Sequence, residues 1–272
     1  MSASQTYKLG FIGAGKLAGS VIRGLMRTKF CPPDKIIASE PNEQTGATLH
    51  KETSVSVTVE NAEVAAKSEV IFIGVKPGMV LGVLRDLAPR IDDKLVISLA
   101  GGVRIASMEK VANARFMRAL TNTPSAICRA ATGIARGSRS TTDDVDLTKK
   151  IFGAIGVVVE IDESQIDIIT ALSGSGPAFV YAIIDALAAG ALRLGLPKNV
   201  SVELAIQTVL GAAELMRESK MSAEDLIKMV VTPGGTTAAG LAAMEKMKTR
   251  ESLIAAVEAA TKRGQEMAQE NS

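Results

Sequence analysis

The chain has 272 residues, 47% of them hydrophobic and 3% aromatic, and its 31 basic and 29 acidic side chains give a formal net charge of +2. This balanced charge provides no basic stripe for nucleic-acid phosphates, and so few aromatic residues offer little surface on which bases could stack. Two cysteines without CxxC spacing and a single histidine, His50, argue against a structural metal and for a reducing compartment, so we expect a cytoplasmic protein.

Neither end of the chain nor its apolar runs predict a membrane protein. The first residues, "MSASQTYK", contain no basic segment leading into an apolar run, so we expect no secretory signal. The longest uncharged apolar run, residues 168–184, contains two glycines and a proline and is followed by Asp185. We therefore interpret it as the start of a buried helix rather than as a membrane span.

Short β-type runs alternate with amphipathic segments through roughly the first 160 residues. The runs are "KLGFIG", "KIIAS", "VSVTV", "EVIFIGV", "KLVISLA", "ARFMRAL", "TGIAR" and "GVVVEI". Apolar runs separated by helical stretches are typical of a parallel sheet that helices cover on both faces. The pattern predicts a doubly wound α/β sheet in residues 1–163.

The first β-type run leads into a glycine motif, "LGFIGAGKLAGSVIRGL", which has Gly13, Gly15 and Ala18 in GxGxxA spacing. Gly13 permits the tight turn, Gly15 leaves room for a pyrophosphate, and Ala18 lets the helix approach the strand. Lys16 and Leu17 begin that helix, whose free N–H groups can bind phosphates. A purely structural glycine turn is the alternative, but the strand–turn–helix context favours a dinucleotide site in a Rossmann-type domain.

The end of the second β-type run bears on which dinucleotide binds. An acidic residue there would select NAD by binding the ribose 2′-hydroxyl. This run ends at Ser39 and is followed by Glu40 and, after a proline, Asn42. Ser39 and Asn42 can donate to a 2′-phosphate, whereas Glu40 would repel one if it pointed inward. We predict NADPH as the cofactor, with NADH as the open alternative.

Three further segments contain candidate residues for the cofactor crevice. Val75, Lys76 and Pro77 follow the fourth run, at a strand end that faces the crevice in such sheets. Lys76 contacts the cofactor there or is a solvated lysine before a turn. Asn122, in "LTNTPSA", is counted with the cofactor residues, although an ordinary turn explains it equally well. Asn61 is explained most simply as a helix N-cap.

From about Ser164 onward the β-type runs stop, and Ala, Leu, Gly and Met recur at helical spacing. We predict an all-helical domain in residues 164–272. Its many small residues allow close helix packing, and a layer of this size has a limited core of its own. We therefore expect it to pack against a second copy of itself.

Two glycine- and hydroxyl-rich segments interrupt these helices, "ALSGSGPAF" (residues 171–179) and "VVTPGGTTAAG" (residues 230–240). Each is predicted to be a turn that leads into a helix and presents N–H groups and hydroxyls to an anion such as a carboxylate. Together with "GFIGAGKLA", "VKP" and "TNTP", they make the chain resemble the pyrroline-5-carboxylate reductase family over essentially its whole length.

The resemblance implies reduction of the cyclic imine 1-pyrroline-5-carboxylate to L-proline by NAD(P)H, the final step of proline biosynthesis. It also implies a helical domain that forms an interlocked homodimer, with dimers assembling into a ring such as a decamer. The residues implied to hold the substrate carboxylate are Thr232, Gly234, Gly235, Thr236 and Thr237. Thr237 is the one implied to hydrogen-bond near the imine nitrogen, and is therefore the candidate catalytic residue.

The same resemblance implies positions along the cofactor. Ser39 and Asn61 lie near the adenosine end, and the residues near the ribose and nicotinamide are Val75, Lys76, Pro77 and Ala100.

Two other functions stay open from the sequence. A β-hydroxyacid dehydrogenase shares the arrangement of domains, but it needs a lysine, and an asparagine one helical turn later, where this chain reads "PAFVYAIIDA". A catalytically silent NADP-sensing module would have no need of two hydroxyl-lined glycine turns.

Overall fold

The computed structural model describes residues 7–271, without the side chain of Tyr7. The first six residues, on which the expectation of no secretory signal depends, lie outside that range. Contacts divide the chain into a sheet unit, Met1–Ser175 with Glu258–Ser272, and a helical unit, Gly176–Val257. This division differs from the single sequence boundary after residue 163, because the chain returns to the sheet unit at its end. The predicted division by role, 1–163 and 164–272, stays a prediction.

Within residues 7–271, eight strands form the centre of the sheet unit, and they correspond to the eight β-type runs of the sequence. They are β1 Tyr7–Ile12, β2 Ile36–Ser39, β3 Ser56–Thr58, β4 Ser68–Ile73, β5 Leu95–Ser98, β6 Arg115–Leu120, β7 Ala130–Arg136 and β8 Gly156–Glu160. Their order across the sheet is β3-β2-β1-β4-β5-β6-β7-β8. The order reverses between β1 and β4, and this switch point is where such sheets bind their ligands.

The sheet is mixed, which corrects the expectation of a parallel one. β7 runs antiparallel to β6, whereas the other described neighbours are parallel. A parallel connection needs a crossover of about a dozen or more residues, usually a helix. Only residues 121–129, which include the 3₁₀ segment Thr123–Ile127, separate β6 from β7, so the chain turns back as a hairpin. At the β8 edge, Val157 and Val159 are exposed. Helices therefore do not cover both faces of the sheet at this strand.

Apolar side chains cover the two faces of the sheet in separate layers. On one face Phe11 stacks on Phe72, with ring centroids 4.4 Å apart, and Phe72 meets the edge of Phe152 at 6.1 Å. Ile71 and Leu84 belong to the layer on the other face. Phe72 and its neighbour Ile71 thus point to opposite faces, as alternation along a strand requires.

Twelve α-helices complete the described chain, and the prediction of a helical second half is confirmed. They are α1 Lys16–Arg27, α2 Glu43–Thr53, α3 Asn61–Lys67, α4 Val80–Ile91, α5 Ile105–Glu109, α6 Thr142–Gly153, α7 Ile166–Ile169, α8 Gly176–Arg193, α9 Lys198–Ser219, α10 Ala223–Val230, α11 Thr236–Lys246 and α12 Thr249–Glu270.

The segment "ALSGSGPAF" is not the glycine turn that we expected. Thr170–Gly174 is a π-helical turn that joins α7 to α8, and the Ser175 N–H donates to the carbonyl of Thr170 at 2.9 Å. A π-turn absorbs an extra residue without ending a helix, and such turns are frequent at functional sites. We call Thr170–Gly174 the π-turn below.

The π-turn lies within a helical stretch, Glu163–Arg193, that is long and apolar enough to cross a membrane by length and composition alone. A single helix of this kind is weak evidence for a membrane span. Only 6% of its most apolar window is buried within the chain, so the single chain does not bury the helix start that we expected to be buried.

Asp144 ties the start of α6 to β6. Its Oδ2 accepts hydrogen bonds from the Thr141 N–H and from Arg115 Nε, both at 2.9 Å. Burial raises the pKa of Asp144, but the hydrogen bonds and charge of Arg115 and the bonds from Thr141 outweigh burial and hold it below the usual range. The stabilisation is complete above the unfolded pKa, about 3.9, and is lost as the pH falls through the lower folded pKa.

We therefore expect Asp144→Asn to lower the free energy of unfolding by about 1–2 kcal/mol at neutral pH, where the charged hydrogen bonds to Arg115 are lost. The difference from the parent protein should shrink as the pH approaches the folded pKa of Asp144. Denaturant unfolding at neutral and acidic pH measures both. Asp143→Asn, at an exposed position of the same helical turn, is the control. An equal pH response in the two variants would contradict the assignment.

Candidate active site

The glycine turn after β1 lies at the switch point and adopts the predicted geometry. Gly13 has φ +82°, a left-handed conformation that favours glycine, and a Cβ there would lie 2.9 Å from the backbone nitrogen of Val75. The N–H groups of Gly13 and Ala14 donate to the carbonyl of Ser39 at 3.1 and 3.0 Å. The turn is thus fixed between the ends of β2 and β4.

Gly15 immediately precedes α1 and borders open space. A Cβ built on Gly15 meets no atom within 4 Å, and no side chain caps the helix. The first N–H groups of α1 have no intrahelical partners and carry the positive end of the helix dipole. An open cradle that only a side chain at Gly15 would fill fits the pyrophosphate of a dinucleotide.

The remaining residues of the motif set how α1 packs. Ala18 is buried, and a Cβ on Gly74 at the end of β4 would lie 2.8 Å from the Ala18 Cβ. Leu17 packs against the core layer that contains Phe11, and Lys16 is exposed. Close packing of α1 therefore depends on the small side chain predicted at Ala18.

At the end of β2, Ser39 is fully buried and does not face open space. Its Oγ donates to Asn61 Oδ1 at 2.7 Å. Asn61 is the first residue of α3 and not its N-cap, which is Glu60, so the simplest interpretation of Asn61 is wrong. Its Nδ2 makes no hydrogen bond within residues 7–271 and is available as a donor. Ser39 thus orients Asn61, and the predicted contacts of both with the adenosine end stay predictions.

The polar residues after Ser39 interact with their own segment. Asn42 caps α2, with its Oδ1 accepting from the Thr45 N–H at 2.9 Å. Glu40 Oε1 accepts from the Asn42 N–H at 3.1 Å. The Glu40 carboxylate is therefore held by the turn that follows β2.

Two further predicted cofactor segments lie at the same edge of the sheet. Val75, Lys76 and Pro77 follow β4, and the Lys76 side chain is exposed. Ala100 follows β5 and is buried. Since parallel strands β1, β4 and β5 are neighbours, the structure brings their carboxyl ends together.

Asn122 is buried at the end of β6, and its amide contacts the chain itself. Nδ2 donates to the Ser173 carbonyl in the π-turn at 3.0 Å, and Oδ1 accepts from the Ala131 N–H at 3.2 Å. These bonds fix the π-turn against the hairpin between β6 and β7. The predicted contact of Asn122 with the cofactor stays a prediction.

Sequence reasoning missed a partly buried charged cluster beside this edge. Arg118 lies within β6, is fully buried and donates from Nη1 to Glu163 Oε1 at 3.1 Å. Arg104 pairs with Asp167 through Nη2 and Oδ2 at 2.9 Å. An arginine in the middle of the β-type run "ARFMRAL" was the available signal, because arginine is almost never fully buried unless it is paired.

The helical unit contains the segment "VVTPGGTTAAG", which forms a tight turn between α10 and α11. The Gly235 N–H donates to the Thr232 carbonyl at 2.9 Å, and Gly234 has φ +72°. A Cβ on Gly235 would lie 2.3 Å from Thr232 Oγ1. The closeness of the Thr232 hydroxyl therefore leaves no room for a side chain at Gly235.

This turn leads into α11, whose N-terminus is open. Gly235 precedes the helix, no side chain caps it, and its first turn contains no acidic residue. Within residues 7–271, the hydroxyls of Thr232, Thr236 and Thr237 have no hydrogen-bond partner. An uncapped helix end with three free hydroxyls fits a small carboxylate.

His50 is a surface residue, as predicted. It lies on α2 with its ring exposed, and its Nδ1 is 2.8 Å from the Val55 carbonyl.

Comparison with known proteins gives matches over the whole chain. Residues 163–267 match the family model for pyrroline-5-carboxylate reductase dimerisation, and residues 8–102 match the model for coenzyme F420-dependent NADP oxidoreductases. A pyrroline-5-carboxylate reductase from Pisum sativum is 40% identical over 268 residues, which cover 97% of each chain.

Two solved structures also cover nearly the whole chain. The crystal structure of a Plasmodium falciparum pyrroline carboxylate reductase with NADP bound has a TM-score of 0.89 and 29% identity, covering 98% of this chain and 100% of that one. A pyrroline-5-carboxylate reductase from Coxiella burnetii has a TM-score of 0.87 and 34% identity, covering 97% of this chain and 99% of that one.

Proposed function

The chain belongs to the pyrroline-5-carboxylate reductase family, and on that premise we propose that it reduces 1-pyrroline-5-carboxylate to L-proline with NADPH. This reaction is the final step of proline biosynthesis. The observation that carries the proposal is the pair of uncapped helix N-termini. One follows the glycine turn at the switch point, and the other follows the hydroxyl-lined turn before α11. The match to the relative from Pisum sativum covers 97% of this chain and so includes both helix N-termini.

The sheet unit supplies the cofactor site in this proposal. The first turn of α1 holds the pyrophosphate, and Asn61 Nδ2 is the donor for the adenosine ribose or its 2′-phosphate. Val75, Lys76, Pro77 and Ala100 line the ribose and nicotinamide. Bound NADPH supplies the hydride.

The turn in the helical unit supplies the site for the substrate carboxylate. The N–H groups at the start of α11 and the hydroxyls of Thr232 and Thr236 bind its oxygens. Thr237 Oγ hydrogen-bonds near the imine nitrogen and orients the ring.

The reaction needs no strong general acid. An imine carbon accepts hydride readily once its nitrogen is protonated, and the product amine keeps that proton. The only histidine, on the surface of α2, is therefore not required. Placing the ring carbon against the cofactor and excluding water supply most of the catalysis.

Thr237→Val removes the hydroxyl and keeps the shape of the side chain. We expect kcat to fall roughly 10- to 100-fold, because the bond to the imine nitrogen is lost in the transition state. Thr237→Ser, which keeps the hydroxyl, is the control and should retain most of the activity. Full kcat for Thr237→Val at saturating substrate, from roughly pH 6 to 9, would remove Thr237 from the chemistry.

We also propose that the helical unit forms a homodimer and that dimers assemble into a ring. Large apolar side chains are exposed on its helices in the single chain, including Leu187, Leu204, Leu215 and Met229. Exposed apolar surface of this kind is typical of protein–protein contacts, and the match to a dimerisation family covers the same residues. Light scattering that gives a stable monomer at micromolar concentration would contradict this.

Three assays separate the candidate functions. The first measures NADPH and NADH oxidation with 1-pyrroline-5-carboxylate, the second offers a 3-hydroxyacid with NAD, and the third contains no substrate. We expect activity in the first alone, with NADPH preferred. Turnover in the second would favour a β-hydroxyacid dehydrogenase, and cofactor binding without turnover would favour a sensor. We place the protein in the cytoplasm.

A further inference from the structure

Arg104, Arg118, Glu163 and Asp167 form a compact group in the sheet unit, which we call the Arg118 cluster. Besides its bond to Glu163, Arg118 donates from Nη2 to the carbonyl of Ala100 at 3.4 Å. Glu163 Oε1 also accepts from the Ile105 N–H at 2.7 Å. The cluster therefore binds the backbone at Ala100, in the loop between β5 and α5, and at Ile105, the first residue of α5.

The charges of the cluster balance. Burial lowers the pKa of Arg118, and the nearby carboxylates of Glu163 and Asp167 oppose that effect. Because a guanidinium stays protonated in proteins, two cations face two anions. The buried charge on Arg118 is thus compensated within the cluster.

Stability alone does not account for this arrangement. Arg118 Nε and Asp167 Oδ1 are both buried and have no hydrogen-bond partner within residues 7–271. A buried ion pair can often be replaced by apolar side chains at no cost in stability. Buried polar atoms left without partners point to another role for the cluster.

The loop that the cluster holds is intrinsically pliable. Ala100 is followed by Gly101 and Gly102, and Gly102 has φ +66°. A Cβ on Gly102 would lie 2.7 Å from the Cβ of Met267 on α12, and one on Gly101 would lie 3.7 Å from Thr170 of the π-turn. The loop therefore lies against α12 and the π-turn, and Arg118 binds its Ala100 carbonyl.

We propose that Arg118 is a positioning residue for hydride transfer, acting by holding the Ala100 backbone where it borders the nicotinamide. The proposal rests on the function proposed above, which places Ala100 beside that ring. Arg118 touches neither substrate nor cofactor in this account. Its loss leaves the adenosine end of the cofactor anchored and lets the nicotinamide end move.

The test compares Arg118→Met and Arg118→Lys with Arg115→Met. Arg115 lies on the same strand and pairs with Asp144, away from Ala100. We expect Arg118→Met to lower kcat by about 10- to 100-fold, since a small misplacement of reacting groups has effects of this size. The isotope effect with 4-deuterated NADPH should increase, because hydride transfer becomes slower than release. A lysine at this position cannot bind both Glu163 and the Ala100 carbonyl, so Arg118→Lys should restore little activity.

Binding measurements give a readout independent of turnover. The Kd for 2′,5′-ADP, which represents the adenosine half, should not change in Arg118→Met. The fluorescence anisotropy of bound NADPH should fall, because the nicotinamide becomes more mobile. Arg115→Met should lower only the melting temperature. If Arg118→Met fails to fold, Glu163→Gln is expected to give the same pattern.

A lower melting temperature with unchanged kcat, isotope effect and anisotropy would overturn the proposal and leave Arg118 a structural residue. A parent protein that does not reduce 1-pyrroline-5-carboxylate would instead contradict the proposed function. In that case the anisotropy and the Kd for 2′,5′-ADP still decide whether Arg118 positions the nicotinamide.

Discussion

Replacing Gly15 by valine is expected to abolish NADPH binding without unfolding the protein. A side chain there meets no protein atom within 4 Å, and φ of −65° is open to any residue. The valine would instead fill the space above the first turn of α1, where we propose that the pyrophosphate binds. Loss of two charged hydrogen bonds, at about 1.5–3 kcal/mol each, corresponds to a drop in affinity of about 100-fold or more.

A fluorescence titration with NADPH, together with thermal melting, measures both parts of this prediction. Gly82→Val is the matched control, because Gly82 lies in α4 and also has open space around it. Gly13→Val provides a contrast. It collides with the backbone at Val75 and requires φ +82°, so it should lose stability as well as binding. If the Gly15→Val protein binds NADPH as the parent does, the pyrophosphate lies elsewhere.

Thr236→Asp is expected to abolish productive substrate binding while preserving the helical unit. An acidic residue in the first turn of a helix stabilises it by about 0.3–1 kcal/mol. The same carboxylate would repel that of the substrate. Two charges about 4 Å apart near a protein surface interact by about 4 kcal/mol. After screening by water, we expect kcat/KM for 1-pyrroline-5-carboxylate to fall about 100-fold, with NADPH affinity unchanged.

Asn199→Asp is the control for this charge, since it places the same acid in the first turn of α9, which also lacks one. It should leave kcat/KM unchanged. Steady-state kinetics of both variants measures the change in kcat/KM, and thermal melting shows whether the fold is preserved. Equal kinetics for Thr236→Asp and the parent would exclude the start of α11 as the carboxylate site.

Local patterns were enough to predict the secondary structure and the glycine turn at the switch point. The eight strands and the helical second half follow from hydrophobic periodicity. Gly13 makes the tight turn and Ala18 the close packing that their spacing predicts, whereas the pyrophosphate contact at Gly15 stays a prediction. The reversal of β7 could also have been predicted, because the segment that includes Thr123–Ile127 is too short for a crossover.

Other features depend on contacts between residues distant in sequence. Nothing near Arg118 indicates that Glu163 will neutralise it, and nothing near Ser39 indicates that its hydroxyl will bind Asn61. The π-turn escaped prediction because its glycines suggested a break, whereas Asn122 and the continuing helix hold the segment helical. The end of α12 returns to the sheet unit through contacts at Gly264 and Met267, which periodicity alone does not reveal.

In the proposed reaction, hydride passes from NADPH to the imine carbon of 1-pyrroline-5-carboxylate. The most direct measurement uses NADPH that carries deuterium at both C4 positions and follows the product by NMR. We expect L-proline with one deuterium on its δ carbon for each NADPH consumed. Oxidation of the cofactor without proline, or proline free of deuterium, would contradict it.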